Sequence, residues 1–206
     1  NPVIEKEIEI NNVSTTKQFT NYANWGSNSN EDESLKQDLL LPYSIQVSKG
    51  SKPLRDVIVF YDYEDNGKPI EVSKADDSHL YYIWGYNKQH PIAKIENFIS
   101  SQATNIQSLI DAAIAASDSD DDHTLNYDGN EGKLRKALDD IRSHAELSKS
   151  MITTYTYDPL IGLTSVTDPK GFSTYYIYDN FNRLKEVRDQ GNKLISDYQY
   201  HYKNQQ

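Results

Sequence analysis

The chain repeats itself at a fixed interval, and such a period limits the folds open to it more than composition does. Tyr63 and Trp84, Tyr157 and Tyr178, and Asp168 and Asp189 each stand 21 residues apart. A valine lies nine positions beyond Tyr63, Tyr157 and Tyr178, at Val72, Val166 and Val187. The segment "YYIWG" at 81–85 returns as "YYIYD" at 175–179. One unit reads as an aromatic strand, a turn, a second strand ending in Asp, and a Gly-containing turn. Two strands of this length cannot cover their own apolar face, so copies must lie side by side.

Around the repeat, hydrophobic periodicity divides the chain into three zones. Residues 1–96 alternate apolar and polar positions in "VIEKEIEI", "YSIQVS", "DVIVFYDY", "PIEVSK" and "HLYYIWGY", the pattern of half-buried strands. Asn66-Gly67 predicts a type I′ hairpin turn, and "NWGSNSNEDESLKQD" at 24–38 predicts a polar loop. Residues 97–148 switch to a helical period. Ile99, Ala103, Ile106, Leu109 or Ile110, Ala113 and Ile114 share one face; Leu134, Ala137, Leu138, Ile141 and Ala145 share another, behind an Asn130 N-cap. Residues 149–206 return to strands in "MITTYTYD", "LTSVTD", "FSTYYIYD", "RLKEVRD" and "LISDYQYHYK".

The fold class expected is mainly β with an α insertion: an antiparallel β-meander of hairpins plus an inserted two-helix hairpin with an acidic loop. The division expected is 1–96 N-terminal β repeats, 97–148 helical hairpin, and 149–206 C-terminal repeats packing with the N-terminal β part. Helices of three to four turns are marginal alone, so Ile106, Leu109, Leu138 and Ile141 are expected to be buried in a docked hairpin.

Charge and composition exclude several classes. A formal charge of −10 with no local Lys/Arg cluster argues against nucleic acid as a partner. The absence of cysteine rules out disulfides and thiolate metal sites. No apolar run approaches the roughly 20 residues of a membrane-spanning helix, so no membrane insertion is expected. The opening "NPVIEKEIEI" has neither an initiator Met nor a signal-peptide core, and the chain is expected to be a piece of something longer. The 16 Tyr outnumber 5 Phe and 2 Trp, so apolar area comes mostly from rings with a wet hydroxyl end.

Tyr178-Asp179, Arg183-Leu184, Asp189 and Gly191 resemble the YD repeat of RHS (rearrangement hotspot) proteins, which runs Y-D-x-x-G-R-L with Asp and Gly further on. Tyr63, Trp84, Tyr157 and Asp158 take the corresponding places in other units. The resemblance covers 151–203 and, more loosely, 56–97, with the helical zone as an insertion between repeats. Asn182 stands where the repeat has Gly, and Gly85 where it has Asp. The resemblance implies a fragment of a large Bacteroidetes-type RHS protein, exported or at the cell surface, built as a β-sheet spiral that closes into a shell. Such a shell encloses a toxin, or its repeats contact carbohydrate. The partners implied are the remainder of the parent protein and, second, carbohydrate.

Candidate chemistry is sparse. "YDPLIGLTSVTDPKG" at 157–171 is similar to the terminal segment of an RHS shell, where carboxylates are associated with self-cleavage, and this singles out Asp158 and Asp168. Leu163-Thr164 replace Arg-Phe there, and a complete repeat follows. Asp-Pro also opens ordinary turns, and that reading is preferred. Asp118, Asp120 and Asp122 occupy positions 1, 3 and 5 of an EF-hand-like loop, but His123 and Gly129 stand where Gly and Glu belong. A mobile, solvated acidic loop without metal is expected. His79, His90, His123, His144 and His201 show no metal-ligand spacing. Tyr61, Tyr63, Tyr81, Tyr155, Tyr157, Tyr175 and Tyr178 suit a cross-strand aromatic ladder or, alternatively, a sugar-stacking platform. The function expected is a non-enzymatic structural or interaction module without cofactor.

Overall fold

The computed structural model describes residues 3–10, 13–25, 39–125 and 127–201. Among these described residues, twelve strands form one sheet in sequence order, β1 to β12, and every pair with a described register is antiparallel. The mainly β meander with an α insertion is therefore what the chain forms. Residues 26–38 of the expected polar loop lie outside the described residues.

The chain divides into two compact units, residues 1–82 with 96–102, and 83–95 with 103–206. The first holds β1 (Val3–Ile10), β2 (Val13–Asn24), β3 (Leu40–Lys49), β4 (Arg55–Tyr63), β5 (Pro69–Lys74) and the start of β6 (His79–Gly85). Val72, Leu80, Tyr81 and Phe98 are its buried apolar residues, with the Phe98 ring edge-on to Tyr81 at 5.3 Å. The first helix, α1 (Ser100–Ala103), begins where the Ser100 N–H donates to Glu71 Oε2 at 2.8 Å.

The second unit holds the rest of β6, most of β7 (His90–Glu96), α2 (Gln107–Asp118), α3 (Gly129–Arg142), β8 (Met151–Asp158), β9 (Gly162–Thr167), β10 (Ser173–Tyr178), β11 (Leu184–Asp189) and β12 (Leu194–Asp197). β7 and β8 are sheet neighbours although the helical insertion separates them in the chain. Ile83, Ile92, Ala93, Ile95 and Ile152 from the strands are buried, as are Ile106, Ile110, Ala113, Leu134, Leu138 and Ile141 from the insertion. Leu109 is only half-buried and Ile110 takes the core position; Ile99 precedes the helices and is exposed. β12 stops at Asp197, short of the longer strand its alternation suggests.

The hairpins share one design. Tyr63 pairs with Pro69, Tyr157 with Leu163, and Tyr178 with Leu184. In each hairpin the register then slips, so that the residue before the tyrosine faces the residue eight beyond that tyrosine. Ile70, Thr164 and Lys185 are thus the extra residues of three equivalent β-bulges. A bulge disrupts the ladder next to it, and a tyrosine from further along the chain comes to that point. Tyr178 Oη donates to the Leu163 carbonyl at 2.9 Å, beside the Thr164 bulge, and Tyr200 to the Leu184 carbonyl at 2.8 Å, beside the Lys185 bulge. Tyr63 donates to the Pro42 carbonyl at 2.8 Å, beside a further register shift between β2 and β3.

A five-residue turn recurs with the bulges. In 64–68, 74–78, 168–172, 179–183 and 189–193, the first N–H donates to the fifth carbonyl, and the fourth N–H to the first carbonyl. The fourth residue is left-handed each time: Gly67, Asp77, Gly171, Asn182 and Asn192. Asn66-Gly67 is thus not the expected type I′ turn, which needs both central residues left-handed, but a type I turn closed by a left-handed residue. Where the first residue is Asp, its Oδ1 accepts two further N–H groups. For Asp179 these come from Phe181 at 2.8 Å and Arg183 at 3.1 Å. This explains Asn182, since Asn tolerates the left-handed region that the repeat otherwise fills with Gly. Asn182→Val should destabilise by about 1–2 kcal/mol, the cost of a left-handed non-Gly residue, and Asn182→Gly should not. Urea denaturation of the two variants checks it.

Candidate functional site

The apolar stripe of α3 carries two charges. Glu131 and Arg135 fall one turn apart on the face that buries Leu134, Leu138 and Ile141, and a charge there must bring its own partners. Glu131 is 1% exposed; Arg135 Nη2 lies 2.8 Å from its Oε1. The same oxygen accepts the hydroxyls of Thr156, at 2.7 Å, and Thr164. Thr156 pairs with Ser165 across β8 and β9, and Thr164, the extra residue of the bulge, brings its hydroxyl within 2.8 Å of that of Thr156. Arg135 also donates from Nε to Ser165 Oγ at 3.3 Å and from Nη1 to the Thr124 carbonyl at 2.6 Å. Its guanidinium lies 5.1 Å from the centre of the buried Tyr175 ring.

The acidic run that ends α2 and opens the loop to α3 is exposed at Asp118 and Asp121, as expected, but Asp120 is buried and each carboxylate has a structural partner. Asp118 Oδ1 accepts the Asn87 N–H at 2.6 Å, Asp120 Oδ2 the Tyr86 hydroxyl at 2.6 Å, and Asp121 Oδ1 the Asn130 side-chain amide at 2.7 Å. Asp122 takes the N-cap role expected of Asn130, accepting the Asn130 N–H at 2.5 Å and the Glu131 N–H at 3.3 Å. Those donors are otherwise orphaned at a helix start; burial alone would raise the Asp122 carboxyl, but together with the Thr124 N–H and hydroxyl they hold it below its usual range.

The far end of α2 grips the β6–β7 turn. Tyr86, Asn87 and Lys88 are all left-handed, with φ of 52°, 54° and 60°, a run that only outside contacts sustain. Ser117 Oγ accepts the Tyr86 N–H at 3.1 Å, and Tyr86 Oη in turn accepts the Tyr157 N–H at 2.8 Å. Gly85 departs from the repeat's Asp for the same reason: a Cβ there would lie 2.2 Å from Ser117 Oγ.

Asp120 Oδ1 is buried without a hydrogen-bond partner. Burial first, then the nearby Glu131 and Asp122, push its carboxyl up to about 6, against the Tyr86 hydrogen bond, which lowers it. A carboxyl whose pKa rises on folding favours the folded state below its unfolded value of 3.8 and loses that contribution as pH climbs through about 6. Relative to Asp120→Asn, stability should therefore fall by up to about 3 kcal/mol between pH 4 and pH 7, at 1.36 kcal/mol per unit. Urea midpoints of both proteins across that range check it.

A cavity of about 320 Å³ opens beside the ion pair. Glu131, Arg135 and Thr164 line one side, Asp158 and Ile161 another, His123 and Leu125 a third, and 176–180 with Asn182 close it. Asp158 Oδ1 accepts the Leu160 N–H at 2.8 Å, and Oδ2 lies 2.9 Å from His123 Nε2. Asp168 is elsewhere, at the other end of β9, where Oδ1 accepts the N–H groups of Lys170 and Phe172, each at 2.9 Å. At roughly 3.3 Å per strand residue, the length of β9 keeps the two carboxylates from acting as a pair.

The other repeat positions serve the hairpins. Asp179 pairs with Arg183 at 2.6 Å, and the Arg183 guanidinium covers the Tyr200 ring at 4.2 Å. Leu184 supplies the carbonyl for Tyr200, and Asp189 Oδ1 accepts the Gly191 N–H at 2.9 Å. Trp84 is half-buried in β6. Tyr81 and Tyr175 are buried and Tyr61 is exposed, so the seven tyrosines do not present one open stacking face. Sequence reasoning missed Glu131, Arg135, Tyr86 and the Thr156–Thr164–Ser165 hydroxyls. The legible signal was Glu131 and Arg135 interrupting an apolar stripe.

No family model and no curated protein matches this chain. Among solved structures it is similar to the complex TcdB2-TccC3-Cdc42, at 13% identity and TM-score 0.42, over 88% of this chain and 8% of that one. TcdB2-TccC3 gives 9% and 0.40 over 88% and 8%; the form without the hypervariable C-terminal region gives 10% and 0.42 over 94% and 9%. The chain thus spans less than a tenth of each of these chains.

Proposed function

We propose that the protein is an RHS-type YD-repeat module, a non-enzymatic stretch of β-sheet within a larger exported or surface-exposed bacterial protein. The tyrosine-to-bulge link carries this reading. Tyr63 and Tyr178 each donate to a carbonyl on the preceding strand, and Tyr200, beyond β12, to one on β11, in every case next to a register shift. At these positions the motif acts as a device that pins one hairpin to the next. Tyr joins neighbours, Asp closes the turn, the Gly or Asn position supplies its left-handed residue, and Arg183 locks Asp179. A unit built this way propagates by addition, which suits a scaffold.

Two measurements test the reading. The reading frame that encodes this chain should carry further Tyr-Asp units at the same spacing, and a frame without them would end the RHS assignment. Purified protein held for days should keep its intact mass; cleavage after Asp158 or Asp168 would replace the non-enzymatic reading with self-cleavage.

A further inference from the structure

The cavity beside α3 contains one carboxylate that no arginine neutralises. Glu131 has Arg135 at 2.8 Å and Asp179 has Arg183 at 2.6 Å, whereas the ion-pair partner of Asp158 is His123, charged only when protonated. The Asp158 side chain is 13% exposed, and His123, on the loop before α3, is 56% exposed. A nearly buried carboxylate attracts a cation more strongly than one in water, and its present partner is the more exposed of the two. Leu125, Ile161 and Ile177 supply apolar wall beside it.

A cavity with an apolar stretch of wall beside one carboxylate that lacks an arginine suits an alkyl stem that ends in a positive charge. Asp158 Oδ1 is already held by the Leu160 N–H, leaving one oxygen. That disfavours the two-point grip of a guanidinium and favours the point charge of an ammonium. The turns bearing Asp158 and Asp179 also expose Leu160 (92%) and Phe181 (78%), apolar contacts for the chain on either side of such a side chain. The net charge of −10 draws basic partners.

We propose that this cavity binds a lysine side chain presented by a partner polypeptide, its ammonium displacing His123 from Asp158 Oδ2. The site stands on the cavity alone and does not depend on the RHS reading.

Amide NMR of the full chain tests it. N-acetyl-lysine N-methylamide should shift the Leu125, Thr164 and Ile177 signals. The uncharged norleucine analogue should bind at least about tenfold more weakly, the equivalent of 1.4 kcal/mol, and the arginine analogue should be weaker than lysine. Asp158→Asn keeps an acceptor for Leu160 and should lose lysine binding by a similar factor. His123→Ala, at an exposed position, should strengthen binding by removing the competitor. Equal binding of norleucine, or unchanged binding in Asp158→Asn, would overturn the proposal. Binding of 1,5-diaminopentane without binding of the blocked lysine would overturn the polypeptide source.

Discussion

Arg135→Ala is expected to destabilise the protein by about 3–5 kcal/mol, the usual cost of removing one member of a buried ion pair. The cost comes less from the lost attraction than from what stays behind. Glu131 would remain buried with the Thr156 and Thr164 hydroxyls as its donors and no cation. The Thr124 carbonyl and Ser165 Oγ would lose a donor as well. Removing both charges should be milder. Glu131→Leu with Arg135→Met restores apolar volume to the α3 stripe, and Thr156 keeps its contacts to Thr164 at 2.8 Å and Ser165 at 2.6 Å. The double variant is therefore expected to be more stable than Arg135→Ala. Urea unfolding of the three proteins decides the matter, and a loss below about 1 kcal/mol for Arg135→Ala would place this pair with surface ion pairs.

The same pair marks how far the sequence could be read. Period-two alternation announces β8 and most other strands because one face is covered, so polarity follows geometry; β1 alternates as well, although residues 3–9 are all exposed. β2 was not anticipated: "VSTTKQFTNYAN" is rich in Thr and Asn, and its apolar alternation is too faint to register. The turns were legible as turns but not by type, since whether one or two residues are left-handed is decided by the flanking register. The central parts of the helical stripes were legible, with Ile110 in place of Leu109, but their ends were not: Ile99 and Ala145 lie outside α2 and α3 and are exposed. The cavity was not legible at all. It brings together 123–135, 158–164 and 176–182, and no local pattern reports that meeting. Nor could the acidic loop be read correctly from composition. Four carboxylates look solvated until Asn87, Tyr86 and the start of α3 are seen to need acceptors.

Leu138→Ala tests whether the insertion is part of the fold or an arm. Leu138 is 2% exposed, flanked on α3 by Leu134 and Ile141, both fully buried. A two-helix hairpin with apolar stripes this short has little stability by itself, so the burial must come from its packing within the second unit. Truncating a buried leucine removes its transfer free energy and leaves a cavity that the surroundings only partly fill, costing about 2–5 kcal/mol. An exposed control on the same helix, Lys136→Ala, should stay within about 0.5 kcal/mol. If the loss at Leu138 appears at the single main unfolding transition, with an unchanged denaturant slope, the helices unfold together with the strands they pack against. The left-handed run at 86–88 would then be expected to relax with them, because α2 supplies the Ser117 and Asp118 contacts that hold it. A neutral Leu138→Ala would contradict the docking, and with it the reason given for Gly85.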